Sequence, residues 1–229
     1  MPADTPLLAE ARNPIIRWEY LVDEWGQIRE AIIQHLELTV YSVAIGFVLS
    51  VALTFIALRY GWATSAITGF TGFLYTIPSV ALFGILVPYF GLTKTAAVIP
   101  LASYTLLILV TNMIAGFRAV PDEVREAADA MGLTPSRRVL TVELPLALPY
   151  IITGLRIATV STVGLVTVAA IIGQGGLGRL ILNGLSRAFW TPMTLGAGLS
   201  ILLALVLDGS LYLVGRLATP WTRRGRAGS

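Results

Sequence analysis

The chain has no cysteine and a single histidine among its 229 residues, and only 13% of its residues are charged. The absence of cysteine excludes a disulfide-stapled secreted domain, a thiol enzyme and a zinc-thiolate site. One histidine argues against a histidine-based metal site or a protease triad, so we expect no bound metal. A soluble domain of ordinary composition is about 25% charged. The low charge, together with 55% hydrophobic residues, indicates a membrane protein built mostly of spanning helices.

The motifs of common catalytic and nucleotide sites are also absent. No phosphate-binding G-x-x-x-x-G-K-[ST] occurs, since Thr93-Lys94-Thr95 has no glycine immediately before its lysine. HExxH and Gly-x-Ser-x-Gly are missing as well. We therefore expect a chain that is not itself an enzyme and binds no cofactor, with energy supplied by a partner or an ion gradient. Nucleic acid is not an expected partner, because the net charge of +3 comes from basic residues scattered through hydrophobic sequence.

Long uncharged runs predict an all-α protein with five membrane spans. About 20 apolar residues cross a hydrocarbon layer about 30 Å thick. The predicted spans are about 38–58, 62–92, 95–117, 146–172 and 192–217, so that 36–217 forms the transmembrane domain. The second run is too long for one straight helix, and Pro78 within it predicts a break. A division of 60–93 into two spans is left open.

Two flanking segments differ from the spans in composition. Large apolar residues at helical spacing between positions 15 and 36 predict an amphipathic helix. The segment 1–35 is therefore expected either to lie on the lipid surface or to pack on the protein itself. Residues 218–229 form a basic tail.

The orientation of the chain follows from its basic residues. With five spans, ten Lys and Arg residues fall on the side that holds the polar insert 118–145 and the C-terminus, and six fall on the other. Cytoplasmic loops carry the excess of basic residues. We therefore expect the insert and the C-terminus in the cytoplasm and the N-terminus outside.

The insert 118–145 predicts two short helices. Pro121, followed by two acidic residues, suits a first helical turn, and Gly132 supplies a stop. Thr134 and Pro135 suit the cap and first residue of a second helix, whose extent Pro145 is expected to limit. An apolar face on a cytoplasmic loop requires a partner surface to bury it. The first helix has such a face, made of Val124, Ala127, Ala128 and Met131.

The insert resembles the EAA loop of ABC-importer permeases, whose pattern is EAA-x3-G-x9-I-x-LP. Glu126-Ala127-Ala128 is followed after three residues by Gly132 and, nine residues later, by Val142, Glu143 and Leu144-Pro145. Val142 stands where isoleucine is usual. The resemblance implies the type I importer permease fold, in which the insert docks as a coupling helix in a groove of a separate ATP-hydrolysing subunit. The residues to which it assigns this coupling are Val124, Glu126, Ala127, Ala128, Met131, Gly132, Leu144 and Pro145.

Segments 76–82, 142–149 and 172–178 narrow the resemblance to the glycine betaine, carnitine and choline (osmoprotectant) permeases. This implies a multi-pass protein of the bacterial inner membrane. Its implied partners are a cytoplasmic ATP-binding subunit that uses ATP and Mg, a second permease (identical or a sister chain) and an external substrate-binding protein. The alternatives are a permease for methionine or another amino acid, and a gradient-driven secondary transporter.

A few residues are candidates for the solute pathway or a gate. Asp208 is an acid in an apolar run, and an intramembrane acid is a functional hypothesis by default. We expect it either to oppose the charge of a cationic solute or to pair with hydroxyl or arginine partners in the bundle. Pro78 marks the predicted break. The glycine-rich segment is interpreted as an external gate or as a tight turn between helices, and it contains Gly173, Gly175, Gly176 and Gly178.

Overall fold

The computed structural model describes residues 15–221, and this part of the chain folds into helices joined by short connections. In chain order the helices are α1 (Trp18–Asp23), α2 (Trp25–Arg59), α3 (Gly61–Thr76), α4 (Ser79–Phe90), α5 (Lys94–Arg118), α6 (Asp122–Ala130), α7 (Pro135–Arg138), α8 (Leu144–Val168), α9 (Leu177–Ser186) and α10 (Trp190–Ala218). A π-turn over Val139–Glu143 joins α7 to α8, and a 3₁₀ turn over Ala169–Ile172 follows α8. The predicted all-α class is confirmed.

Within residues 15–221, four continuous helical runs are long and apolar enough to cross a membrane, namely α2, α5, Pro135–Ile172 and α10. Helices α3 and α4 form a further candidate as a pair bent by 90°. The five-span interpretation agrees with this architecture when the bent pair counts as one span. The break lies where Pro78 predicts it, because proline has no N–H to donate and disfavours helical backbone in the residue before it.

The first spanning helix begins earlier than the sequence predicts. Helix α2 runs unbroken from Trp25 to Arg59, whereas the predicted span begins at about residue 38. The short α1 precedes it, with Glu24 between the two helices. No helix end falls at residue 35, so the boundary between 1–35 and 36–217 stays a prediction. Residues 1–14 and 222–229, which include most of the predicted basic tail, lie outside the described residues.

The prediction that Pro145 limits the second helix of the insert is wrong. Pro145 lies in the first turn of α8, and the helical path continues from Pro135 to Ile172. A proline ring crowds the carbonyl four residues earlier. The π-turn widens the helix just before this point, where the N–H of Leu144 bonds to the carbonyl of Val139. The helical run that contains the predicted fourth span therefore starts well before residue 146, and α7 is continuous with it.

The chain divides into two compact units, each with its own apolar core. Unit 1 comprises Met1–Ser42, Ile77–Leu101 and Ser161–Leu205, and unit 2 comprises Val43–Thr76, Ala102–Val160 and Val206–Ser229. The core of unit 1 includes Leu38, Phe83, Ala96, Ala97, Leu101, Val166 and Ala169. The core of unit 2 includes Leu109, Met113, Ala147, Ile151 and Ala158.

Candidate functional site

The insert folds as a short helix, a glycine turn and a second helix that continues into α8. Helix α6 begins after Pro121 with Asp122 and Glu123 in its first turn, where acidic groups interact favourably with the helix dipole. It ends at Ala130, and Gly132 follows with φ +76°. This left-handed conformation is open to glycine at little cost. The predicted helix and its stop at Gly132 are confirmed.

The apolar face predicted for α6 is divided between the inside and the outside of the chain. Ala128 is only 1% exposed, whereas Met131 is 73% exposed. Val124 is half-buried and Ala127 is exposed. The side chain of Ala128 is thus already covered by this chain, and its assignment to the coupling site stays a prediction. The exposed residues of the motif, called here the exposed α6 surface, are Glu126, Ala127, Met131 and Gly132.

A buried carboxylate lies behind the insert in unit 2. Glu143 is the last residue of the π-turn and is buried. The Nε of Arg138 donates to its Oε1 at 2.9 Å, and the Nε of Arg125 lies 3.6 Å from its Oε2. Both guanidinium groups therefore face one carboxylate, which offsets much of the cost of taking its charge out of water.

Each arginine also contacts an aspartate near one end of α6, the helix to which Arg125 itself belongs. Arg125 donates from Nη1 to Asp122 at 2.8 Å and from Nη2 to the carbonyl of Phe117 at 2.6 Å. Arg138 donates from Nη1 to both carboxylate oxygens of Asp129. Neither arginine was predicted from the sequence, and Glu143 is only a variable position of the EAA pattern, because no spacing rule joins positions 125, 138 and 143.

Leu144 and Pro145, the last residues of the motif, lie in the first turn of α8 and do not belong to the exposed α6 surface. Both are half-buried, and Leu144 packs against the core of unit 2. Their position follows the π-turn directly, so they fix where the insert joins the spanning helix.

The glycine-rich segment is a close-packed turn in unit 1. A Cβ on Gly175 would lie 2.2 Å from the backbone of Ala170, and one on Gly178 would lie 2.2 Å from the carbonyl oxygen of Thr167. No side chain approaches backbone atoms so closely, so both positions require glycine. Gly173 has φ +75° with nothing within 4 Å of its Cβ position. This geometry favours the turn interpretation, and the gate stays a prediction.

The turn holds α9 against α2. A Cβ on Gly176 would lie 2.7 Å from the backbone nitrogen of His35 and 2.8 Å from the carbonyl oxygen of Ala31. The adjoining apolar contacts join Ile28 and Ala31 to Leu177 and Leu180. His35 is fully buried, and its Nε2 lies 3.1 Å from the carbonyl oxygen of Val163. The only histidine of the sequence thus contacts α8 within this packing.

Asp208 is paired with an arginine in unit 2. Arg156 donates from Nε to Oδ1 at 2.8 Å and from Nη2 to Oδ2 at 2.7 Å, which is the bidentate geometry of a strong ion pair. The guanidinium also lies 5.2 Å from the ring centre of Tyr212. The pairing supports the arginine-partner alternative over a free counter-charge for a cationic solute.

Pro78 stands at the bend between α3 and α4, with φ −57° and ψ 132°. Its ring fixes the backbone and offers no polar group to a solute. As for metals, residues 15–221 contain no group of three or more His, Asp or Glu side chains placed to hold an ion.

Apolar helices of membrane-spanning length, with a helical insert between the third and fourth candidate spans, define a multi-pass membrane protein. The chain belongs to the family described as "Binding-protein-dependent transport system inner membrane component", whose model matches residues 42–219. It is the permease subunit of an ABC importer, a multi-pass protein of the inner membrane. The resemblance inferred from the EAA pattern is confirmed.

Named relatives align over nearly the whole chain. The osmoprotectant import permease protein OsmW of Salmonella typhimurium is 36% identical over 206 residues, which cover 88% of this chain and 96% of the relative. The choline transport system permease protein OpuBB of Bacillus subtilis is 30% identical and covers 88% and 93%. A solved inward-facing structure of the MetNI methionine ABC transporter matches with a TM-score of 0.76 at 21% identity, over 86% of this chain and 98% of that one. This last likeness shows the fold alone.

Proposed function

We propose that this permease imports a quaternary-ammonium compatible solute of the glycine betaine, carnitine, choline or proline betaine type across the bacterial cytoplasmic membrane. The observation that carries the proposal is the 36% identity to a protein named an osmoprotectant import permease, over 96% of that protein's length. A relative named for choline transport also aligns over 88% of the chain.

The exposed α6 surface is the proposed docking site for a cytoplasmic ATP-binding subunit. It combines small Ala127 with the largely exposed thioether of Met131, and an apolar surface of this kind on a polar loop requires a partner. The partner uses ATP and Mg, and this chain binds no cofactor. Closure of the ATPase would displace α6 and so switch the helices between inward and outward states as rigid bodies.

A second permease and an external binding protein complete the proposed complex. The second permease is an identical or a sister chain. Helix α10 is long and apolar, yet very little of it is buried inside the single chain. Its exposed side chains include Ile201, Leu202, Leu205 and Val206, and they are available to lipid or to the second permease. Nucleic acid has no place in this complex.

The proposed orientation has the N-terminus outside and the C-terminus in the cytoplasm. Within residues 15–221, unit 2 holds seven basic residues, Arg59, Arg118, Arg125, Arg137, Arg138, Arg156 and Arg216. Unit 1 holds five, Arg17, Arg29, Lys94, Arg179 and Arg187. The helical insert that contains α6 also holds Arg137 and Arg138, and an excess of basic residues in a short connection between spans favours the cytoplasmic side for it.

Uptake into vesicles tests the proposal. The permease is reconstituted with its ATP-binding subunit and binding protein, and labelled choline uptake is measured with unlabelled glycine betaine, carnitine or methionine as competitors. We expect ATP-dependent uptake that betaine and carnitine inhibit and methionine does not. Inhibition by methionine alone would instead support an amino-acid importer. Uptake driven by an ion gradient without the ATPase would support a secondary transporter.

A further inference from the structure

Glu143 differs from the exposed acidic residues of the insert in its burial. Its side chain is 9% exposed, compared with 85% for Asp122 and 53% for Asp129. A charged carboxylate taken out of water is costly unless opposite charges and hydrogen bonds surround it. Here two guanidinium groups from two different segments supply that environment, so the burial of Glu143 depends on both segments being in place.

The contacts of these arginines connect both ends of α6 to neighbouring segments. Arg125 joins the first turn of α6 to the carbonyl of Phe117 near the end of α5, while Arg138 joins Asp129 near the end of α6 to α7. Both arginines then meet at Glu143, which belongs to the unbroken helical run Pro135–Ile172. The carboxylate is therefore the common point through which both ends of α6 connect to the spanning helix.

We propose that Glu143 is a positioning residue for energy coupling. It connects α6 to the start of α8, so that both move as one rigid body when the ATPase displaces α6. The inference rests on the proposed docking of the ATPase at the exposed α6 surface. A rigid connection is needed because displacement of a loosely tethered helix would be absorbed within the insert before it reached the spanning segment.

Loss of the Glu143 charge should weaken the connection between α6 and α8 without removing every contact. Glutamine can still accept one hydrogen bond, but it cannot neutralise two guanidinium groups. Arg125 keeps Asp122 and Phe117, and Arg138 keeps Asp129. The variant E143Q should therefore insert and assemble, with α6 held at its ends but no longer fixed to the π-turn.

Coupling stoichiometry in the complete reconstituted complex tests this role. For E143Q we expect the ATPase to co-purify as in the wild type, while solute transported per ATP hydrolysed falls roughly fivefold or more. E143D keeps the charge and should recover much of the ratio. The matched control E37Q removes the carboxylate of the exposed Glu37–Lys94 ion pair in unit 1, and it should leave the ratio unchanged.

A distance measurement tests rigidity directly. The chain has no native cysteine, so spin labels attach only at introduced positions, and exposed Glu123 on α6 and Leu146 on α8 are suitable. In the wild-type complex the label distance should be the same without nucleotide and with trapped ATP. In E143Q the distance distribution should broaden or shift between the two states.

The possible outcomes separate this inference from the proposed function. ATP-dependent uptake in the wild type, together with an unchanged ratio in E143Q, would overturn the role of Glu143 and leave the proposed function intact. A label distance that changes between states in the wild type would overturn it as well, even if E143Q failed to assemble. Absence of ATP-dependent uptake in the wild type would overturn the proposed function itself.

Discussion

The glycine turn of unit 1 and the insert of unit 2 are both short connections, but different forces hold them. In the glycine turn, backbone packs on backbone at Gly175 and Gly178. In the insert, two arginines and a buried carboxylate hold a helix whose outer surface stays exposed. Steric packing therefore fixes Gly175 and Gly178, whereas ion pairs hold α6. The difference is consistent with a fixed turn in unit 1 and with the docking helix proposed for unit 2.

The largest expected effect comes from a side chain in the glycine turn. In G178V the new Cβ would overlap the Thr167 carbonyl oxygen, with a separation of 2.2 Å. Because backbone atoms cannot yield, we expect a loss of roughly 4 kcal/mol or more and little folded protein. Size-exclusion profiles of the detergent-solubilised chain measure this. G164A, in the same unit and with nothing within 4 Å of its Cβ position, should remain monodisperse, and a folded G178V would refute close packing as the holding force.

Two neighbouring alanines distinguish the inner from the outer side of the insert. Ala127 is exposed and Ala128 is 1% exposed. We expect A127D to leave the isolated permease stable but to weaken ATPase co-purification roughly tenfold or more, because it buries a charge in the interface. A128D should instead lower the thermal stability of the permease itself, since it places a larger, charged side chain at a position that is fully buried. Co-purification and thermal unfolding, measured for both variants, check the assignment, and equal stability of the two variants would contradict it.

Local sequence signals sufficed for the elements whose cause is local. Pro78 predicts the break before α4, and Gly132 predicts the end of α6, because each acts on its own backbone. The extent of α7 was mispredicted because a π-turn, set by packing in three dimensions, accommodates Pro145. The pairing of Arg138 and Arg125 with Glu143 was missed for the same reason, since it depends on how two helices return to each other.

The face of α6 is less uniform in burial than its helical spacing predicts. Residues at helical spacing share a broad stripe, but the edge at which that stripe passes from core to surface depends on neighbouring segments.

Asp208 shows the opposite case. The arginine alternative considered for it from sequence agrees with the observed pair to Arg156, because an intramembrane charge has few stable alternatives to an opposite charge.

The Asp208–Arg156 pair tests whether an ion pair also stabilises the part of unit 2 that lies outside the insert. For D208N we expect a loss of about 1 kcal/mol, typical of polar pairs between membrane helices, seen as a lower thermal unfolding midpoint. Combining it with R156Q should recover part of that loss, since no unpaired guanidinium is left. The apparent affinity for choline should not change in D208N. A selective loss of uptake of cationic solutes at unchanged stability would restore Asp208 as a counter-charge.

The smallest effect on stability is expected for alanine at two glycines, one from each region, that have the same backbone strain. Gly132 and Gly173 have φ of +76° and +75°, and neither has an atom within 4 Å of its Cβ position. Alanine at either position therefore adds only conformational strain, about 1 kcal/mol, and G132A and G173A should lower the unfolding midpoint equally. Only G132A also adds a methyl group to the exposed α6 surface, so it alone should reduce solute-stimulated ATP turnover. Equal turnover in the two variants would mean that the ATPase does not approach closely at Gly132, and the docking surface would then be confined to Ala127 and Met131.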